Sequence, residues 1–129
     1  MVTTIYLDTS AAMKILVEEP ESEALVRELT SPDHRLAASW LLHTELHCAA
    51  GRQPAVIAID AVTSVLDAVA LIDLTRGDLL AAGTHAPLRS NDAMHLATAL
   101  RLGVDGIVTY DAELSRAAIA AGLRVIAPT

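Results

Sequence analysis

Four carboxylates stand at positions where a chain of this pattern could bring them together. Asp8 directly follows the apolar run Ile5-Tyr6-Leu7, and Asp111 follows Val108-Thr109-Tyr110 just as closely. Asp92 comes two residues after Ser90 at the start of a helical stretch, and Glu45 lies among Leu41, Leu42, Leu46 and Cys48. Taken singly, an aspartate after a strand is often no more than a helix cap, and Asp92 near a helix start is favourable through the dipole alone. Glu45 is harder to dismiss, because a carboxylate among apolar neighbours is costly unless it is paired, protonated or bound to metal. Two carboxylates about 4 Å apart repel by roughly 4 kcal/mol at an effective dielectric of about 20, so four together need protons or cations. Hard oxygen ligands with no cysteine among them point to Mg²⁺ or Mn²⁺.

Whether the four meet depends on the elements that carry them. Thr3 to Leu7 reads as a buried strand, and the Thr9-Ser10 hydroxyls as the cap of a helix through about Val17. Pro20 restarts a second helix, His34 to Ala38 is a strand, and a helix from about Trp40 to Ala50 is ended by Gly51. A helix after Pro54 runs to about Val69, Leu71 to Leu74 is a third strand, and Thr75 opens a helix that stops before Pro87. Ser90 caps a helix to Leu102, with Gly103 stopping it. Gly106 to Tyr110 is then a strand, Ala112 to Ala121 a helix, and Leu123 to Ile126 a final strand. The alternation predicts one α/β domain over residues 1–129, a parallel sheet of about five strands with helices on both faces. Ligands bind such sheets beyond the carboxyl ends of the strands. Asp8 and Asp111 therefore share one edge, and helices entering from that edge can bring Glu45 and Asp92 near.

Composition narrows the functional classes. With 53% apolar and 19% charged residues the chain can bury a real core. Its three aromatics, Tyr6, Trp40 and Tyr110, exclude a platform of stacked rings for single strands. Cys48 is the one cysteine, which excludes an internal disulfide and a cysteine-rich zinc site. No apolar run reaches the ~20 residues that span a membrane and no basic leader opens the chain, so a soluble cytoplasmic protein is expected. A net charge of −7 argues against non-specific nucleic-acid binding, unless several acids surround a metal whose charge reverses the local field. His43-Thr44-Glu45-Leu46-His47 does not match the H-E-x-x-H zinc signature, because Glu45 lies roughly 200° around the helix from each histidine. That pair reads as solvated or partner-facing, and His95 as a packed, hydrogen-bonded helix residue.

Tyr6-Leu7-Asp8-Thr9-Ser10, Thr44-Glu45-Leu46, the run from Leu88 to Ala99 (LRSNDAMHLATA) and Val108-Thr109-Tyr110-Asp111 resemble, in order and over nearly the whole chain, the PIN-domain ribonucleases. More narrowly the chain resembles the VapC-type toxins of type II toxin–antitoxin pairs. The stretch around Asp92 is the most specific piece, and Asn91 departs from the large apolar residue commoner at its position. The resemblance implies a PIN-like fold, an acidic metal site of Asp8, Glu45, Asp92 and Asp111, and supporting hydroxyls at Ser10 and Thr109. It implies hydrolysis of an RNA phosphodiester assisted by Mg²⁺ or Mn²⁺, and inhibition by a cognate antitoxin. Arg89, beside Asp92 in sequence, is then a candidate phosphate contact, and Glu113 an auxiliary at most. With so acidic a surface, the expected target is narrow, such as an exposed loop of a structured RNA. Met13, Ile15, Leu16, Val17, Leu25, Val26 and Leu29 offer apolar surface for a homodimer or an antitoxin groove.

Two other readings stay open. A receiver domain shares the length, the alternation and an aspartate after the first strand, but it would need a lysine near the end of the fifth, and the only lysine is Lys14. A catalytically silent PIN fold kept for binding is the second, and the presence of all four acids argues against it. A haloacid-dehalogenase phosphatase would want a second aspartate where Ser10 stands.

Overall fold

A computed structural model describes residues 2–129. In chain order the elements are β1 (Thr3–Leu7), α1 (Thr9–Leu16), α2 (Ser22–Leu29), β2 (His34–Ser39), α3 (Leu41–Arg52), α4 (Ile59–Asp67), β3 (Ala70–Ile72), α5 (Arg76–Ala82), α6 (Ser90–Leu102), β4 (Gly106–Val108), α7 (Ala112–Ala120) and β5 (Arg124–Ile126). The strands form one parallel sheet in the order β3-β2-β1-β4-β5, as the alternating pattern predicts. From β1 the chain moves to one side for β2 and β3, then crosses to the other side for β4 and β5. The switch point lies between β1 and β4, where Leu7 stands beside Val108. A crevice at such a point opens beyond the carboxyl ends of the strands, and Asp8 and Asp111 immediately follow those two strands.

Burial explains the strand sequences. Ile5, Tyr6 and Leu7 of β1, with Ile107 and Val108 of β4, are all 0% exposed, as in a parallel sheet covered by helices on both faces. Leu42 and Leu46 of α3 and Leu96 and Ala99 of α6 complete the same core. Small side chains let α5 and α6 approach closely, with Ala82, Ala93 and Ala97 packed together. Among the described residues no helix is long and apolar enough to cross a membrane.

The element ends differ from the sequence reading where side chains take backbone groups. Asp8 itself caps α1, accepting from the Ser10 N–H, so the Thr9 and Ser10 hydroxyls are free for other partners. Arg89, not Ser90, is the N-cap residue of α6, and no side-chain hydrogen bond caps that helix. Gly51 does not end α3; Leu42, Leu46, Ala49 and Ala50 are buried along the helix, and one internal glycine costs only about 1 kcal/mol. Residues 54–58 do not join α4, because Val56 and Ile57 close a turn on the Gln53 carbonyl. β3 is shifted to Ala70–Ile72, and Arg101 takes the Asp73 carbonyl just beyond it. β4 stops at Val108, since the Thr109 hydroxyl accepts the Asp111 N–H and bends the chain into α7. Thr75 does open α5, in a reciprocal capping box with Asp78, and Gly103 ends α6 at φ 65°.

Gly106 in β4 has no space for a side chain. A Cβ there would lie 3.1 Å from the Arg124 carbonyl oxygen and 3.1 Å from the Ile126 Cδ1, so β5 would have to move. Gly106→Val should destabilise the fold by about 1–3 kcal/mol through overpacking, read as a lowered midpoint in urea with an unchanged slope.

Candidate active site

Asp8 is 1% exposed, yet it is held by donors on one oxygen. Its Oδ2 accepts from the Ser10 hydroxyl at 2.7 Å, the Thr109 hydroxyl at 2.8 Å and the Ser10 N–H at 3.3 Å. Those hydroxyls in turn accept the Tyr110 and Asp111 N–H groups. Ser10 and Thr109 lie 3.2 Å apart, but both spend their protons on Asp8. The pair thus ties the start of α1 to the end of β4 across the switch point. Among the described residues, Oδ1 of Asp8 accepts no hydrogen bond, and no buried side-chain oxygen lacks a partner, so Oδ1 is the oxygen that reaches the crevice.

Glu45 projects from α3 with its side chain 22% exposed. Its Oε1 accepts from the Thr9 hydroxyl at 2.9 Å and meets Nε2 of His95 at 2.6 Å; its Oε2 has only the Asn91 amide, at 3.4 Å. On its far side the imidazole meets the Tyr6 hydroxyl at 2.7 Å through Nδ1, and that hydroxyl accepts the Ser39 N–H at 3.0 Å. Burial pushes the Tyr6 phenol up to about 12, so it keeps its proton. Burial also raises Glu45, but the hydrogen bonds from His95, Thr9 and Asn91 outweigh it and hold the carboxyl below its ordinary range. The cost of a carboxylate among apolar neighbours is therefore met by pairing with His95.

Asp92, in the first turn of α6, has no side-chain hydrogen bond among the described residues. It is pushed up to about 6, by burial first and then by the negative charges of Asp8, Asp111 and Glu45. All four acids thus act in one field. Asp111 is the N-cap of α7, with Oδ1 accepting from the Leu114 N–H at 2.8 Å and Oδ2 free of protein donors. Glu113 is exposed in the first turn of the same helix. Arg89 is exposed at the N-cap of α6, three residues before Asp92. His43 stacks on His47 at 4.3 Å and on Trp40 at 5.3 Å, and neither histidine hydrogen-bonds Glu45.

The PIN domain family model matches residues 5–120. Ribonuclease VapC46 of Mycobacterium tuberculosis is 41% identical over 97% of this chain and 98% of its own length. The chain belongs to the PIN-domain family, in its VapC branch. Ribonuclease VapC35 of the same species is 35% identical over 96% of each chain. VapBC2 of Rickettsia felis, solved with a DNA fragment from its promoter, shares the fold at a TM-score of 0.73, covering 98% of this chain and 99% of that one at 16% identity. VapC20 of M. tuberculosis, a toxin that cleaves the sarcin–ricin loop, matches at a TM-score of 0.69, covering 92% and 95% at 17% identity.

In this PIN domain, among the described residues, the carboxylate oxygens without a protein donor are Oδ1 of Asp8, Oδ2 of Asp111 and both of Asp92, while Oε2 of Glu45 has only the 3.4 Å contact with Asn91. Among the described residues no three acidic, imidazole or thiol groups close on a single point, so the four acids do not form a ready-made cage. The donor set suits Mg²⁺ or Mn²⁺ better than zinc, because Mg²⁺ retains several waters and takes one or two carboxylates. Tyr6, Thr9 and the partnership of His95 with Glu45 are members of this network beyond the residues expected from sequence. Two signals were there: a tyrosine in a buried strand must satisfy its hydroxyl, and His95 lies one helical turn from Asp92.

The raised Asp92 gives the PIN domain a stability that depends on pH in a defined sense. Well below about pH 4 folded and unfolded chains both hold the proton, and the side chain costs nothing. As the pH rises through about 6 the folded chain must release it, and stability falls. The partly exposed position screens the effect to about 1 kcal/mol. Asp92→Asn should thus raise the melting temperature of metal-free protein by roughly 4 °C at pH 7, and hardly at all at about pH 3, as followed by circular dichroism.

Proposed function

We infer that this chain is a single-domain endoribonuclease toxin of the cytoplasm that hydrolyses RNA phosphodiester bonds with Mg²⁺ or Mn²⁺ and is silenced by a cognate antitoxin. The observation that carries this reading is the set of carboxylate oxygens left without protein donors at the switch point, in a chain 41% identical to a ribonuclease. Asp8, Asp92, Asp111 and the Oε2 of Glu45 would hold the cation. The cation, when bound, lowers the pKa of a water and stabilises charge on the phosphate. The protein's part is orientation. Ser10 and Thr109 fix the direction of Asp8, the first turn of α7 fixes Asp111, and α6 presents Asp92. Arg89 is positioned to meet a phosphate beside that turn.

Charge favours a narrow substrate. Net charge is −7, so the surface supplies little general attraction for RNA. Recognition then falls to metal–phosphate contact and a few arginines, which suits an exposed loop of a structured RNA. Incubated with total RNA and Mg²⁺ or Mn²⁺, the protein should leave few, discrete cut ends, and excess chelator should abolish them. Asp8→Asn should lower the cleavage rate by roughly 100-fold or more, about 2.7 kcal/mol of barrier, without loss of helical circular dichroism. Full activity in chelator removes the metal mechanism, and comparable cutting of homopolymers removes the narrow-target reading.

The antitoxin reading draws on the helices that the sequence marked as too apolar for one core. Leu25 and Leu29 are buried, whereas Val26 is 41% exposed. Val26, Ile15, Leu29, Leu36 and Val65 line an apolar groove of about 240 Å³, which suits the apolar face of a partner helix. Several proteins of this fold were solved as toxin–antitoxin complexes. Val26→Glu should weaken antitoxin binding at least 10-fold by calorimetry and leave RNA cleavage intact; loss of self-association with antitoxin binding unchanged would assign the groove to a homodimer.

A further inference from the structure

One buried side chain beside the acids is left unused by the reading above. His95 is 0% exposed and lies between Tyr6 and Glu45, with Nδ1 2.7 Å from the phenol oxygen and Nε2 2.6 Å from Oε1. The partners around the ring, which include the Thr9 hydroxyl 3.2 Å from Nε2, point to one placement of the protons. The Tyr6 oxygen accepts the Ser39 N–H, so its single proton is available for Nδ1. Nδ1 is then an acceptor, and the ring's own proton sits on Nε2, aimed at Glu45. The Thr9 hydroxyl donates to the same Glu45 oxygen. Oε1 is therefore saturated by two donors, and Oε2 carries only the long contact from Asn91.

We propose that the Tyr6–His95 pair is a positioning device for Glu45, pinning Oε1 so that Oε2 alone is presented to the cation and its water. The proposal rests on the reading of Glu45 as a cation-binding carboxylate. The direction of the chain originates in the sheet: the Ser39 N–H at the carboxyl end of β2 orients a phenol of β1, which orients an imidazole of α6, which orients a carboxylate of α3. Three separate elements thus fix one oxygen. A glutamate has three rotatable bonds, and without the imidazole only Thr9 would define its rotamer. Residues that orient ligating groups in this way typically change metal affinity 10–100-fold when lost.

The test compares His95→Asn with His95→Gln. The glutamine amide nitrogen reaches the place of Nε2, and the asparagine amide does not. Mn²⁺ binding measured by calorimetry should weaken about 10-fold in His95→Asn and stay within about 3-fold of wild type in His95→Gln. RNA turnover in His95→Asn should fall in kcat with KM for RNA unchanged. Long-range ¹H–¹⁵N spectra of the wild type at pH 7.5 should show the His95 proton on Nε2. Tyr6→Phe, which preserves shape, should give a mixture of ring tautomers and intermediate Mn²⁺ affinity, and it serves in place of His95→Asn if that variant does not fold. Equal defects in the Asn and Gln variants, unchanged Mn²⁺ affinity in His95→Asn, a proton on Nδ1, or no Mn²⁺ binding by the wild type would each overturn the proposal. Wild-type protein that binds Mn²⁺ with the expected dependence on His95, yet cuts no RNA, would refute the ribonuclease reading and leave the positioning role standing.

Discussion

The mutual repulsion of carboxylates gathered at one sheet edge is the constraint on which the rest of this structure depends. The negative charges of Asp8, Asp111 and Glu45 act on Asp92, and the fold must hold these acids without the full relief that bulk water provides. Each acid has a different answer. Asp8 is nearly out of solvent and accepts two hydroxyls and an N–H. Glu45 pairs with His95, and Asp111 serves as a helix cap. Asp92 is given no donor among the described residues, and burial first, with the neighbouring negative charges second, raises its carboxyl to about 6. An acid left without a donor costs stability when it ionises in a partly buried place.

The same constraint explains several polar residues in an otherwise apolar interior, whereas buried Asp78 and Thr98 belong to the pairing with Arg101. Thr109, His95 and Ser39 are each 0% exposed, and each is tied to the acids directly or through Tyr6. Burying them without partners would cost several kcal/mol, but the network satisfies its members: among the described residues no buried side-chain nitrogen or oxygen lacks a hydrogen bond. The parallel sheet provides the framework, because β1 and β4 end side by side and deliver Asp8 and Thr109 to adjacent positions. The helices then need only first-turn precision. Asp92 and Asp111 are both within the opening residues of a helix, where the backbone is anchored to the sheet edge and the dipole favours negative charge.

The apolar groove between α2, β2 and α4 stands apart from this chemistry. It is lined by residues of the first two helices and by Val65 and Val69, with none of the four acids among its walls. The groove and the acid cluster use different side chains, although β1 and α1 contribute to both.

Periodicity and composition were sufficient for the sheet, because buried parallel strands must be continuous apolar runs and their connections must be helices. Asp8 and Asp111 were legible for the same reason: a residue that follows such a run lies at the carboxyl edge. The sequence also marked Glu45, since a charge among leucines demands a partner, but the identity of that partner was not in the local pattern. His95 is 50 residues away in the chain, and Tyr6 meets it across 89. Element ends failed in the same way. Asp8 rather than Thr9 or Ser10 caps α1, because the Thr9 hydroxyl donates to distant Glu45 and the Ser10 hydroxyl to Asp8 itself, and exposed Gly51 stays helical behind the buried Ala49 and Ala50. Local sequence determined which residues could do chemistry and which edge they reach. The tertiary structure decided which oxygen of each acid is bound and which is left open, because hydrogen-bond partners far apart in sequence become neighbours only when the sheet brings their elements together.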